Sequence, residues 1–239
     1  MLKLRASMAL VSVAFAGMAQ ALPVIYNDSI AAGTAAFDAT IAAVSGTLVT
    51  DSLSGLSYGT TWSRTGYTIT STNGAVRYID GDYLTGSRPA GTGGQAIGID
   101  PQRPFPGSGL TFTFANPINA FGLEIGDWAT CCYDPSSLYI AFDGGATRLV
   151  ASAMSSSDNP GVAAGDGTRN FVAAIDDTST FTKVTFYGDG YGEYLVAGGT
   201  IRYATVAQGS VTGNVPVPAT LALMGLGLTG LAAARRRKA

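Results

Sequence analysis

The chain has 239 residues and a formal net charge of −2, with 46% hydrophobic and only 13% charged residues. It contains no histidine, which excludes Ser-His-Asp and Cys-His catalysis and every imidazole metal site. The catalytic class that remains is carboxylate chemistry, as in glycoside hydrolysis.

Residues 1–21 have the organisation of a secretory signal peptide. Lys3 and Arg5 form a positive end, an apolar centre follows, and the small-x-small sequence AQA ends at Ala21. We predict cleavage between Ala21 and Leu22, which makes the Sec translocon and signal peptidase expected partners. The alternative is a membrane anchor that stays uncut.

Residues 22–207 are predicted to form one mainly β domain, because the segment is rich in Gly, Thr, Ser and Tyr and poor in Lys and Leu. One short N-terminal helix is predicted at residues 35–44, where Phe37, Ile41 and Val44 recur at helical spacing behind a Thr34 cap. Short strands separated by turn signals predict an antiparallel β-sandwich or jelly roll. They are expected at residues 22–26, 66–72, 75–79, 95–100, 110–114, 118–128, 137–142, 147–153, 170–175, 181–187 and 195–203, with a turn at Asn116-Pro117.

The charge distribution argues against a nucleic-acid partner. Of the 14 basic residues, six lie in the two terminal segments, whereas all 16 acidic residues lie between them. The exported part therefore has eight basic against 16 acidic residues. Phosphate contacts supply most nucleic-acid affinity, so we predict no nucleic-acid binding.

Glu124 is the first carboxylate considered for catalysis. It lies between apolar neighbours in the sequence FGLEI, and a hydrolase needs two positioned carboxylates. Pairing with a nearby arginine on a sheet face is the alternative. For glycan binding, Trp128 and Tyr133 form an aromatic pair in a predicted loop, with core packing as the alternative.

No cofactor is predicted, although Asp-Gly turns offer oxygen ligands for a structural calcium ion. The candidate ligands are Asp80, Asp82 and Asp189. Asp-Gly is also a common turn dipeptide, so ordinary turn chemistry remains the alternative.

Cys131 and Cys132 are the only cysteines, and they are adjacent. Thiols usually pair in the oxidising space outside the cytoplasm. A vicinal disulfide, a bridge to another chain and free thiols all remain open.

The last 25 residues, 215–239, form a three-part tail that follows a predicted flexible spacer at residues 208–214. A proline-rich start precedes an uncharged apolar run at residues 221–234. We predict a single hydrophobic transmembrane helix here, short for a full span of about 20 residues. The tail ends in a basic cluster expected on the cytoplasmic side, formed by Arg235, Arg236, Arg237 and Lys238.

The tail resembles the PEP-CTERM sorting signal of Gram-negative bacteria. The match covers the apolar run, the basic end and a motif formed by Val215, Pro216, Pro218, Ala219 and Thr220. Val217 stands where that family usually has Glu. The resemblance implies recognition by an exosortase, a membrane cysteine protease or transpeptidase that processes the chain near the motif. It also implies an inner-membrane stage, followed by export to the cell surface or to an exopolysaccharide matrix.

A second resemblance covers residues 116–122 and 171–192, which are similar to segments of exported PEP-CTERM proteins with a sandwich domain. It implies a sandwich fold and suggests no enzymatic activity. We therefore expect a non-enzymatic binding or structural protein associated with exopolysaccharide or biofilm. The alternative is an extracellular, carboxylate-dependent polysaccharide hydrolase that uses Glu124 or Asp189.

Overall fold

The computed structural model describes residues 23–80, 94–99, 109–131, 135–189 and 195–211. The predicted signal peptide and sorting tail lie outside these ranges. The described helices are α1 (Ile30–Ala43), a 3-10 turn (Ser156–Asp158) and α2 (Pro160–Ala164). The described strands are β1 (Val24–Asp28), β2 (Thr47–Ser52), β3 (Thr61–Arg64), β4 (Tyr67–Ser71), β5 (Ile79–Asp80), β6 (Ala96–Ile99), β7 (Gly109–Ile118), β8 (Ala120–Gly126), β9 (Ser136–Phe142), β10 (Arg148–Ala153), β11 (Asn170–Ile175), β12 (Phe181–Gly188) and β13 (Leu195–Thr205).

These strands form two antiparallel sheets, which confirms the predicted mainly β sandwich. The first sheet has the order β1-β11-β8-β13-β6-β5, and β2 pairs with the second half of β13. The second sheet has the order β10-β9-β12-β7-β4-β3. Both β2 and β3 are therefore edge strands, and they follow one another along the chain.

The core lies between the two sheets and is built from alternating side chains. Along β7, Leu110, Phe112 and Phe114 are buried, whereas Thr113 faces solvent. The rings of Phe112 and Phe121 meet across the two sheets with centroids 4.8 Å apart. Burying one such side chain stabilises the fold by roughly 1.5–3 kcal/mol. The alternation of buried and exposed residues along the strands therefore supplies much of the stability of the sandwich.

Helix α1 begins earlier than the sequence predicted. Ser29 is the N-cap, and its Oγ accepts a hydrogen bond from the Ala32 amide at 3.4 Å. Thr34, the predicted cap, lies inside the helix and donates to the carbonyl of Ile30 at 2.7 Å. The predicted start and cap were therefore wrong, because a β-branched residue with a hydroxyl fits a helix once its Oγ bonds the preceding turn. Phe37 is fully buried, as its helical spacing suggested.

Strand β7 continues through Asn116 and Pro117, so the turn predicted there was wrong. The chain crosses from the second sheet to the first at Asn119, which is fully buried. The Asn119 Oδ1 accepts from the Val206 amide at 2.8 Å, and its Nδ2 donates to the Val206 carbonyl at 2.9 Å. A buried amide with these partners is satisfied, and it ties the β7–β8 corner to the end of β13.

Two further elements differ from the prediction. Helix α2 was not predicted; it begins after Asn159, whose side chain caps it by accepting from the Gly161 amide at 2.8 Å. The strand predicted at residues 75–79 is reduced to β5 at Ile79–Asp80, and the backbone of Arg77 forms an isolated β-bridge with Gly59.

The described start of the predicted spacer is bound to the domain. The Val211 amide donates to Asp177 Oδ2 at 2.7 Å, and the Gly209 amide donates to the Asp177 carbonyl at 3.1 Å. Folded structure thus extends to Val211, three residues before the tail motif begins at residue 214. Within the described ranges, neither helix has the length and apolar character needed to cross a bilayer.

Candidate functional site

Trp128 lies in the core, which is the alternative interpretation of this aromatic residue, and not on a glycan-binding surface. It is only 1% exposed and belongs to the core between the sheets. Asn159 Nδ2 donates to its carbonyl at 2.7 Å, which holds the loop inward. Tyr133, the other half of the predicted pair, lies outside the described residues.

Glu124 is fully buried on the face of the first sheet that α1 covers. Arg202 Nη1 lies 3.6 Å from Glu124 Oε1, and Arg202 Nε lies 3.2 Å from Asp38 Oδ1 on α1. The arrangement matches the alternative interpretation, an arginine-paired carboxylate. Arg202 therefore links the Glu124 carboxylate on the first sheet to Asp38 on α1.

Two of the three calcium candidates, Asp80 and Asp189, belong to the described residues. Asp80 is in β5, and Asp82 lies outside the described residues. Asp189 Oδ2 accepts from the Ser137 amide at 2.6 Å. Among the described residues, no group of three or more Cys, Asp and Glu side chains could hold a metal ion. The calcium site therefore stays a prediction.

Cys131 is disulfide-bonded. Cys132 lies outside the described residues, so the possible vicinal ring between the two is not described further.

An open groove lies between the sheets at one end of the sandwich, where β2 and β13 face β7 and the turn between β3 and β4. Its volume is about 410 Å³. A neighbouring depression of about 300 Å³ shares Gly66 and Phe114 with it. The described lining of both contains no Asp or Glu. The groove is lined by Thr47, Val49, Gly66, Phe114, Asn116, Pro117, Ile118, Tyr203, Ala204 and Thr205.

A charged pair beside the groove is fully engaged in hydrogen bonds. Arg64 donates through Nε to Asp51 Oδ2 at 2.8 Å and through Nη2 to Asp51 Oδ1 at 2.6 Å. Tyr67 Oη donates to Asp51 Oδ2 at 2.7 Å. Arg64 Nη1 donates to the Ser54 carbonyl at 3.0 Å. A carboxylate held by three donors is a structural clamp and a poor proton acceptor.

The electrostatics of this cluster keep the groove neutral. Hydrogen bonding to Arg64 lowers the pKa of Asp51, and the pKa of Arg64 is raised by the same bond. Burial raises the pKa of Tyr67, reinforced by its bond to Asp51. Burial also raises the pKa of Tyr203, with a smaller contribution from the Asp51 charge. Both phenols therefore stay protonated well above neutral pH.

Tyr203 forms the aromatic wall of the groove. Its ring lies 4.9 Å from that of Phe114 and 5.8 Å from that of Tyr67, measured between centroids. Gly66 has a φ of +87°, and a Cβ there would lie 3.3 Å from Tyr203 Oη. A glycine at this turn therefore leaves the phenol hydroxyl accessible from the groove.

Sequence analysis did not find these groove residues. They come from β2, the turn between β3 and β4, β7 and β13, and no local motif links them. Their one sequence signal is that Tyr203 falls within the last predicted strand, whose partner strands were unknown.

The fold and groove define a class: an antiparallel two-sheet sandwich with an aromatic, uncharged cleft. A protein-family model, the PEP-CTERM protein-sorting motif, matches residues 214–238. The resemblance inferred from the tail is thereby confirmed: the chain carries a PEP-CTERM protein-sorting motif, which is the signal of an exported protein sorted by an exosortase to the cell surface.

Among solved structures, three catalytic domains resemble part of this chain, each with a TM-score of 0.33. A GH87 alpha-1,3-glucanase domain in complex with tetrasaccharides is 15% identical over 59% of this chain and 28% of its own. The thermostable GH87 alpha-1,3-glucanase of Streptomyces thermodiastaticus strain HF3-3 is 11% identical over 59% and 26%. The Agl-KA catalytic domain is 14% identical over 63% and 30%.

This chain therefore spans less than a third of the length of each of those domains, and a likeness of this extent says nothing about activity. No curated protein sequence matches the chain.

Proposed function

We propose that the exported domain has a non-enzymatic binding role at the cell surface or in an exopolysaccharide matrix, as in a biofilm. One observation carries this proposal: the end groove has an aromatic and hydroxyl lining with no carboxylate among its described residues. Glycoside hydrolysis requires two carboxylates at the bond to be cleaved, whereas binding a sugar requires only rings and hydrogen-bonding groups.

The groove offers both kinds of contact. The rings of Tyr203, Phe114 and Pro117 supply apolar surface on which the C–H face of a sugar ring packs. Thr47 and Asn116 line the same groove with a hydroxyl and an amide. Polar groups at the rim of an apolar pocket orient a ligand.

The carboxylates proposed for the alternative hydrolase make structural contacts outside the described lining of the groove. Glu124 is fully buried against Arg202. Asp189 accepts a backbone hydrogen bond from Ser137. Neither belongs to the described lining of the groove, which supports the binding role over the hydrolase alternative.

The delivery route completes the proposal. The Sec translocon exports the chain, signal peptidase cleaves after Ala21, and the apolar tail holds the domain at the inner membrane until the exosortase acts. Processing within or next to residues 215–220 removes the basic cluster. Mass spectrometry of the surface form should therefore show a chain that lacks Arg235, Arg236, Arg237 and Lys238. Recovery of the intact C-terminus from the cell surface would contradict the processing step.

The binding role is tested on the exported protein in native gels that contain a soluble polysaccharide, with reducing-end release assayed in parallel. We expect retarded migration, no reducing ends, and loss of retardation in Tyr203→Ala with Tyr58→Ala as an exposed tyrosine control (Tyr58 is 70% exposed). Turnover that disappears in Glu124→Gln or Asp189→Asn would replace the proposal with the hydrolase.

A further inference from the structure

The outer face of the second sheet carries a regular array of hydroxyl groups. Three neighbouring strands each present a hydroxyl residue, a core residue and a second hydroxyl residue. The pattern places these hydroxyls on the side of the sheet opposite the core, where all six residues are exposed or half-buried. They are Thr61 and Ser63 on β3, Thr68 and Thr70 on β4, and Thr111 and Thr113 on β7.

The strand register aligns these residues into two rows. Adjacent strands are about 4.8 Å apart, so each row repeats a polar group at that interval. The hydroxyls of Thr111 and Thr185 lie 3.2 Å apart, which carries the first row onto β12. The first row is Thr61, Thr70, Thr111 and Thr185, and the second is Ser63, Thr68, Thr113 and Lys183.

Two tyrosines extend the same face beyond the hydroxyl rows. Tyr187 is two residues past Thr185 on β12, and its direct partner on β9 is Tyr139. Their rings are stacked, with centroids 5.4 Å apart and planes 24° apart. Both are half-buried, so ring surface remains available for a ligand.

The charge of this face differs from that of the chain around it. The exported part holds all 16 acidic residues of the sequence, but none stands in either row. Lys183 is the single ionic group of the two rows. Arg64, at the end of β3, has its guanidinium bonded to Asp51 and to the Ser54 carbonyl. The face therefore suits an uncharged partner.

The face is continuous with the end groove. Thr68 and Thr113 line the depression of about 300 Å³, which shares Gly66 and Phe114 with the groove. One path therefore leads from the groove wall at Tyr203, past Gly66, onto the hydroxyl rows.

We propose that the groove and this face form one binding track for a single chain of a neutral, hydroxyl-rich polysaccharide. The proposal rests on the binding role proposed above and names its ligand class. The strand spacing is close to the length that one hexose adds to an extended glycan, so successive sugars meet successive rows. Sheets twist by about 20° per strand, which a flexible single chain follows and a rigid crystalline surface does not.

The test uses the complete exported protein in native gels containing hydroxyethyl cellulose, a neutral glucan chain, or alginate, an anionic one. The double variant Thr68→Val with Thr113→Val removes two hydroxyls while keeping size and strand preference. Each hydrogen bond lost weakens binding, so we expect affinity for hydroxyethyl cellulose to fall at least about tenfold. Thr50→Val, on β2 away from this face, is the matched control and should bind like the wild type.

The aromatic end of the track has its own comparison. Tyr139→Ala should weaken retardation by the neutral glucan, whereas Tyr139→Phe, which keeps the ring, should not. Unchanged circular dichroism and thermal midpoints of all variants establish that the fold is intact.

Three negative results would contradict different parts of the proposal. If Tyr203→Ala loses binding while the double threonine variant does not, the extended track is wrong and the groove remains the site. If alginate retards the wild type more strongly than hydroxyethyl cellulose, the neutral ligand class is wrong. If neither polysaccharide retards the wild type, both the proposed binding role and the proposed track are wrong.

Discussion

Arg64 and Asp51 join the two sheets through a two-point hydrogen bond, with distances of 2.8 Å from Nε to Oδ2 and 2.6 Å from Nη2 to Oδ1. Asp51 lies on β2 and Arg64 on β3, which are edge strands of opposite sheets. Bidentate arginine–carboxylate pairs are the more directional kind of ion pair. This pair therefore fixes the spacing of the sheets beside the groove, where Tyr67 also bonds Asp51.

The first prediction concerns the energy of this clamp. Asp51→Ala should lower the free energy of unfolding by about 1–3 kcal/mol, because it leaves the partly buried guanidinium and the Tyr67 hydroxyl without their acceptor. In a double-mutant cycle with Arg64→Ala, urea unfolding should give a coupling energy of about 1 kcal/mol. Strictly additive single variants would show that the two sheets are not clamped here.

The second prediction follows from the lowered pKa of Asp51. Because the folded-state pKa lies below the ordinary value of about 3.9, the unfolded chain binds the proton more readily. The stabilisation is complete above the ordinary pKa and is lost as pH falls through the folded-state pKa. Urea unfolding between pH 2 and 6 should show the stability gap between wild type and Asp51→Asn closing toward acid. A gap independent of pH would contradict this.

The third prediction concerns Gly199, in the irregular part of β13 beside Glu124. Its φ is +62°, and a Cβ would contact the Glu124 carboxylate and approach Glu124 Cβ to 2.9 Å. Gly199→Ala should therefore combine backbone strain with overpacking, at a cost of about 2–4 kcal/mol. Gly74, with a φ of +69° and no atom within 4 Å of the added Cβ, is the matched control.

Gly74→Ala should lower the free energy of unfolding only through backbone strain at positive φ, by about 1 kcal/mol. Equal losses of unfolding free energy in the two variants would mean that the Glu124 contact contributes nothing.

The fourth prediction concerns Asp177, which is fully buried and accepts from the Val211 amide at 2.7 Å. Asp177→Ala should lower the free energy of unfolding by about 1–3 kcal/mol and speed hydrogen exchange at Val211. Asp158→Ala is the control, since Asp158 also accepts backbone bonds, but in an exposed turn. Slow exchange at Val211 in Asp177→Ala would show that other contacts hold this segment.

Several elements could be predicted because their signals are local. The sequence LTFTF alternates core and surface residues, and β7 places Leu110, Phe112 and Phe114 inward, as the period of 2 requires. The sorting tail was identified for the same reason, since its proline motif, apolar run and basic cluster are contiguous.

Other predictions failed where a longer-range contact outweighed the local signal. Trp128 was compatible with a loop surface or with the core, and the structure places it in the core, where Asn159 also bonds its carbonyl. Asn116-Pro117 resembled a turn, but β7 continues to Ile118 and the chain crosses to the first sheet at Asn119, whose side chain bonds the distant Val206. Ser29 and Thr34 are both acceptable caps, so packing of α1 decided between them.

The amino-acid sequence by itself determined the secretion signals, the absence of histidine chemistry and the strand-rich composition, because these properties belong to single residues or to short runs. Only the tertiary structure decided which strands are neighbours. It therefore decided that Asp51 meets Arg64, that Tyr203 faces a groove, and that hydroxyl residues from three β strands align with Thr185 in one face. Strand register is set by packing between distant segments, and no local pattern encodes it.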